Sequence, residues 1–260
     1  MKLAAVGDNC MDVYSTGEAY PGGNPVNVAV YFVRMGGEAS YTGIVGTDKY
    51  GQLMKTAISA KGVNVSTVEV KSGNTAITHV ELVNGDRVFG KYDEGVMADF
   101  SISPAQLEYL KKQELVVTAL WGNSHSYLAE IKAAGAKIAY DAATRPKSGP
   151  AQIALQSTDY FFFSAENGEN DELHELMKGL HSAGPEYVVA TLGSSGSIAY
   201  DGSSFTRYGI VECNVVDTMG AGDSYIAGFL KGISDGMPLI DCMRMGSENA
   251  SVTLGYNGAW

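Results

Sequence analysis

The chain has 260 residues, 45% of them apolar, and 18 basic against 29 acidic side chains give a formal net charge of −11. This length suits one α/β core with a small appendage at most, and this charge offers no electrostatic footprint for nucleic acid. No run approaches the ~18 apolar residues of a membrane span. Cys10, Cys213 and Cys242 cannot pair completely and lack zinc-ligand spacing; they read as reduced thiols of a cytoplasmic protein.

Leu3–Val6 is an apolar run too short for a signal peptide and reads as a first buried strand. Asn24–Met35 has helical spacing (Val26, Val30, Val33) and stops at Gly36-Gly37. Ser40–Val45 reads as a strand, and Tyr50–Lys61 as a helix ended by Gly62. Buried-type strands follow at Leu115–Leu120, Lys137–Tyr140, Tyr160–Phe163 and Tyr187–Leu192, the first three separated by helical stretches, then Ser197–Tyr200 and Ser204–Tyr208. The last elements are helices, Ala221–Ser234 and Ile240–Leu254. Strands alternating with helices predict a mostly parallel sheet covered on both faces.

Thr75–Val83 and Arg87–Tyr92 break this rhythm, alternating apolar and polar residues around Asn84-Gly85. That pattern is a hairpin signal, either a flap over a site or an ordinary edge hairpin. The stretch Gly85–Lys91 spells GxxxxGK, but Tyr92 stands where a metal-binding hydroxyl belongs, and a hairpin is not a strand–loop–helix. No GxGxxG or GxSxG occurs, and His79, His125, His174 and His181 lack paired metal-ligand spacing.

The run Asp217-Thr218-Met219-Gly220-Ala221-Gly222-Asp223 is different. Val215-Val216 leads in as a strand end, and a helix follows. Small residues leave N–H groups open at a helix N-terminus, where the dipole favours an anion. In a chain this acidic, an anionic nucleotide needs such local donors and a metal ion. Asp223 would stand beside the anion, able to take a proton from an attacking hydroxyl. On pattern alone, a Gly-rich turn capped by an Asp is an equal alternative.

Asp-Thr-x-Gly-Ala-Gly-Asp resembles the signature of the PfkB-type, ribokinase-like carbohydrate kinases. Gly22-Gly23-Asn24-Pro25-Val26-Asn27-Val28-Ala29 is similar to the family's N-terminal Gly-Gly-x-x-x-Asn-x-Ala segment. Gly7–Asp12 resembles its strand-end sugar contact, and Thr191–Gly196 its nucleotide loop. The likeness runs along essentially the whole chain. It implies a single ribokinase-like domain over 1–260, with a small β lid from about 10–21 and 73–97. The segments Gly7–Tyr14, Gly22–Tyr31, Asp86–Phe100 and Gly258-Ala259-Trp260 resemble the members acting on fructosamines.

The resemblance implies transfer of the γ-phosphoryl group of ATP to a sugar hydroxyl, with the 6-hydroxyl of fructoselysine as acceptor and Mg2+ as cofactor. Asp223 would be the base, and the N–H groups of Gly220, Ala221 and Gly222 would hold the developing charge. Asp12, Asn27, Gly23 and Asp8 would form the sugar pocket, with Arg87 and Glu94 contacting the distal part of the substrate. Thr191, Gly193, Gly196 and Asn249 would contact ATP. The family's Asn-x-x-Glu segment is altered here to Ser164-Ala165-Glu166-Asn167-Gly168-Glu169, with Glu166 or Glu169 as substitutes. Another acceptor (fructose, ribose or a nucleoside) and a catalytically silent binding protein stay open, as do a monovalent cation and a homodimer through the lid.

Overall fold

Strand β1 (Leu3–Val6) is buried at all four positions and lies inside a nine-stranded sheet. This computed structural model describes residues 1–83 and 86–260, with side chains described outside 82–89. From β1 the chain enters a small sheet through β2 (Cys10–Tyr14) and β3 (Ala19–Gly22). Helix α1 (Asn24–Arg34) returns it to β4 (Ala39–Gly46), and α2 (Lys49–Ala60) leads to the edge strand β5 (Asn64–Lys71). Pro25 in the first turn of α1 has the preset φ of a helix start, and Asp48 caps α2 by accepting from the Gly51 N–H at 3.0 Å.

Strands β6 (Ile77–Val83) and β7 (Asp86–Asp93) complete the small sheet, in the order β3-β2-β6-β7. The predicted turn at Asn84-Gly85 lies outside the described residues. Gly90 and Lys91 are strand residues, so the GxxxxGK string has no helix to open.

The chain then crosses to the far side of β1. Helix α3 (Pro104–Leu110) precedes β8 (Leu115–Ala119), and α4 (Leu128–Ala133) precedes β9 (Lys137–Asp141). Next come α5 (Gly149–Leu155), β10 (Tyr160–Ser164), α6 (Asp171–His181) and β11 (Tyr187–Thr191). Two antiparallel strands, β12 (Ser197–Tyr200) and β13 (Phe205–Tyr208), close that edge before α7 (Ala221–Ser234) and α8 (Leu239–Leu254). The sheet order is β13-β12-β11-β10-β9-β8-β1-β4-β5, parallel from β11 to β5.

One core packs α1, α2, α7 and α8 on the sheet through Phe32, Met54, Phe229 and Met243. The other packs α3 to α6 through Leu110, Ile131, Leu155 and Met177. Strands buried on both faces need continuous apolar runs, which is why they were readable. The expected mostly parallel, doubly covered sheet with a small β lid is the fold observed. Among the described residues no helix is long and apolar enough to cross a membrane.

One element differs. Val215-Val216 is not a strand end: both valines are exposed, and the N–H groups of Val216 and Asp217 meet one carbonyl, Leu254 O at the end of α8. A single acceptor at a helix end cannot make a ladder. Strands β2, β3 and β5 were absent from the periodicity reading.

Strand order reverses around β1: β4 and β5 build outward on one side, β8 to β11 on the other. The loops at the carboxyl ends of β1 and β8 diverge, opening the crevice where parallel sheets hold ligands.

Candidate active site

Asp217 folds the loop before α7. Its Oδ1 accepts from the Met219 N–H at 3.1 Å and its Oδ2 from the Gly258 N–H at 2.8 Å. The first bond is the local Asx turn that makes Asp common in such loops. Gly220 then takes φ 72°, ψ 2°, a left-handed conformation glycine adopts without strain. The first helical bond runs from the Ser224 N–H to Gly220 O at 2.8 Å, so the N–H groups of Gly222 and Asp223 precede the ladder and open at the helix N-terminus. The Ala221 N–H turns back on Thr218 O at 3.3 Å, a long bond that leaves it a weaker donor to a ligand.

Ala221 and Gly222 line one wall of a cavity of about 850 Å³, within the range of small-molecule sites. Thr191, Gly193 and Gly196 line it with Glu166 from beyond β10 and Ala250 from α8. Thr191 Oγ1 lies 3.0 Å from Ser164 Oγ, tying the ends of β10 and β11 at the cavity rim.

On the other side of the loop, Asp223 faces the start of α1. Its Oδ1 accepts from Asn24 Nδ2 at 2.8 Å and its Oδ2 from Asn27 Nδ2 at 2.7 Å. Asn24 Nδ2 also lies 2.6 Å from Asp141 Oδ2, at the carboxyl end of β9. Desolvation is the largest influence on Asp223 and raises its pKa well above 3.8, with the Asp141 and Asp8 charges adding, while Asn27 opposes. Asp141 is raised by the same cause, and Asp8 is pushed up to about 6, chiefly by desolvation. An acid tuned upward is suited to exchange a proton near neutral pH.

Asp8 Oδ1, Asn9 Oδ1 and Asn24 Oδ1 are buried without a hydrogen-bond partner. Asp8 Oδ2 accepts from the Asn24 backbone N–H at 3.4 Å, which brings Asp8 and Asn24 together, while Asn9 is held in the core through Nδ2 by Tyr41 OH and Ile44 O. Buried acceptors without donors are expensive, and a hydroxyl-rich ligand would satisfy them. Gly23 permits the close approach: its φ is 114°, and a Cβ would stand 2.6 Å from Asn9 Cα and 2.8 Å from Asp8 O.

Other expected residues are distributed as follows. Asp12 is buried on β2, opposite Tyr20 of β3 and Thr78 of β6, so it belongs to the small sheet. Glu94 is exposed just after β7, before a one-turn helix at Gly95–Asp99. Arg87 lies on β7, and its side chain is outside the described residues. Asn27 is committed at both ends, to Asp223 and, through Oδ1, to the Trp260 indole N–H at 2.8 Å.

Asn249, expected near ATP, has protein partners at both ends of its amide. Its Oδ1 accepts from Arg34 Nη2 at 2.5 Å and its Nδ2 donates to Ser224 O at 2.8 Å. It is buried where α1, α7 and α8 meet, while its neighbours Ala250 and Ser251 face the cavity. Glu169 is equally committed, to Arg207 and His174, and the Arg207 guanidinium holds its carboxyl below the usual range. That leaves Glu166, with Glu212, as acids on the cavity wall. Among the described residues no group of three His, Cys, Asp or Glu forms a metal cage.

Sequence reasoning missed Asn24, Asp141 and Trp260. Asp141 had a readable signal, a short acid ending a buried parallel strand. Asn24 and Trp260 had none beyond lying in segments that resemble the family's.

The family model for pfkB family carbohydrate kinases matches residues 4–260. The chain belongs to the pfkB family of carbohydrate kinases. The fructoselysine 6-kinases of Shigella flexneri and Escherichia coli (strain K12) are each 43% identical to this pfkB kinase over 259 residues, 99% of both chains. The fructosamine kinase FrlD of Bacillus subtilis (strain 168) is 31% identical, covering 100% of this chain and 93% of that protein. An Arabidopsis thaliana ribokinase complexed with ribose and ATP superposes with a TM-score of 0.87 at 23% identity, covering 99% of this chain and 93% of that one. A Thermotoga maritima ribokinase gives 0.85 at 17%, covering 100% and 94%. At these identities the two ribokinases bear on fold alone.

Proposed function

We propose that this pfkB kinase transfers the γ-phosphoryl group of ATP to the 6-hydroxyl of a fructosamine, with fructoselysine as acceptor. The observation that carries the reading is the position of Asp223. It stands in the first turn of α7, between the cavity lined by Thr191, Gly193 and Gly196 and the buried acceptors of Asp8 and Asn24. The cavity suits the nucleotide and the acceptor cluster suits the sugar. The 43% identical relatives support the choice of acceptor.

In this reading the 6-hydroxyl gives its proton to Asp223 as its oxygen bonds to the γ-phosphorus and the bridging oxygen leaves with ADP. The two asparagine donors favour the ionised base, while its desolvation favours proton uptake. Charge developing on the phosphoryl group is held by the N–H groups of Gly220 and Gly222 and the α7 dipole, with Ala221 contributing less. The residues present fit a magnesium ion carried mainly by nucleotide phosphates, with Glu166 or Glu212 as the carboxylate on the wall. Magnesium bound in that way neutralises phosphate charge. The small sheet, with Asp12, Glu94 and Arg87, acts as a lid that excludes water.

A fructosamine differs from fructose by an amine, cationic when protonated. Asp8 and Asp141 have no basic side chain bonded to them among the described residues, and they offer such a cation a partner. Incubation with Mg-ATP and fructoselysine should release ADP at a rate far above that of the Asp223→Asn variant. A kcat/KM for fructose equal to or above that for fructoselysine would overturn the choice of acceptor.

A further inference from the structure

The segment 258–260 is tied to the site at three successive residues. The Gly258 N–H donates to Asp217 Oδ2 at 2.8 Å. Ala259 O accepts from the hydroxyls of Tyr31 and Tyr256. The Trp260 indole Nε1–H donates to Asn27 Oδ1 at 2.8 Å, and Asn27 Nδ2 donates to Asp223 Oδ2 at 2.7 Å. The ring of Trp260 is held by the core on which it packs and by the Lys61 ammonium, 5.6 Å from its centroid.

A primary amide can turn over, exchanging its oxygen and its nitrogen. Beside a carboxylate, one orientation donates a hydrogen bond and the other sets two acceptors against each other. An indole N–H is a donor only, so it is satisfied only when Asn27 presents its oxygen. That orientation is the one in which the amide nitrogen faces Asp223.

We infer that Trp260 is a positioning residue for phosphoryl transfer: its indole N–H fixes the amide orientation of Asn27 and thereby the donor that holds Asp223. The inference rests on the reading of Asp223 as the base.

The test is Trp260→Phe, with benzothienylalanine placed at position 260 as an isostere that lacks only the N–H. In both variants kcat should fall roughly 10- to 100-fold, the loss expected for one hydrogen bond to a charged group. KM for ATP should change less than about 2-fold. The acidic limb of the kcat profile should move to higher pH, because the carboxylate loses support for its ionised form. A role in packing alone would lower the melting temperature of Trp260→Phe and leave the isostere and the pH limb untouched, overturning the inference. In an Asn27→Ala background, Trp260→Phe should add nothing further, and additive losses would equally overturn it. Asp223→Ala separates the two readings. Near wild-type turnover there removes the base and the inference together, whereas lost turnover with an unaffected Trp260→Phe removes the inference alone.

Discussion

Asn24 and Asp223 are joined by a 2.8 Å hydrogen bond, and the same Asn24 nitrogen lies 2.6 Å from Asp141. One amide thus stands between two carboxylates that raise each other's cost of ionisation. Asn24→Ala removes the donor and leaves the repulsion. The Asp223 pKa should rise further, moving the acidic limb of kcat/KM to higher pH, and kcat should fall about 10- to 100-fold. A pH–rate profile from pH 5 to 9 checks it, and an unmoved limb would show that Asn24 does not support the base.

This link also marks how far the sequence was legible. The parallel strands announced themselves because burial on both faces demands apolar runs. The Asp217–Asp223 run was legible because its turn, helix start and acid are contiguous. Asn24 meets Asp223 across 199 residues and Asp141 across 117, and Trp260 meets Asn27 across 233; no local spacing encodes such encounters. Strands β2 and β3 are short, and they find their partners within the small sheet. Asn249 shows the same reach: the resemblance implies a place near ATP, and its amide oxygen finds Arg34 of another helix.

Gly23→Ala tests the close approach at the start of α1. The new methyl group would enter at 2.6 Å from Asn9 Cα, from a backbone with φ 114°. The loss of stability should be about 2–4 kcal/mol, from combined strain and overlap. Because Asn9 and Asp8 carry the displaced atoms, KM for the sugar should rise more than KM for ATP. Urea unfolding and two-substrate kinetics measure both, and an unchanged midpoint would contradict the stated geometry.

Asn249→Ala tests whether Asn249 serves the helix junction or the nucleotide. The change leaves Arg34 without its shortest acceptor and removes the side-chain donor to Ser224 O, both inside the α1–α7–α8 junction. It should cost about 2–4 kcal/mol, as buried polar groups lose their partners. KM for ATP should stay within about 2-fold on the folded protein. A large rise in KM for ATP at unchanged stability would instead place Asn249 at the nucleotide site.

Asp8→Asn separates charge from hydrogen bonding in the sugar pocket. Asp8 titrates near 6, against 3.8 in the unfolded chain, because desolvation penalises its charged form. Between those values the folded state holds a proton that the unfolded state has released. Stability contributed by this group is therefore lost as pH rises through that window, by up to about 3 kcal/mol. The wild-type melting temperature should decline from pH 4 to pH 6.5 more steeply than that of Asp8→Asn, which has no such proton. Catalysis should move the other way. Asparagine keeps an acceptor oxygen for hydroxyls but no charge for an ammonium. The kcat/KM for fructoselysine should drop about 10- to 100-fold while that for fructose changes less than about 3-fold. An equal loss on both sugars would mean that Asp8 serves the hydroxyls alone, and the preference for an amine-bearing acceptor would have to come from elsewhere in the pocket.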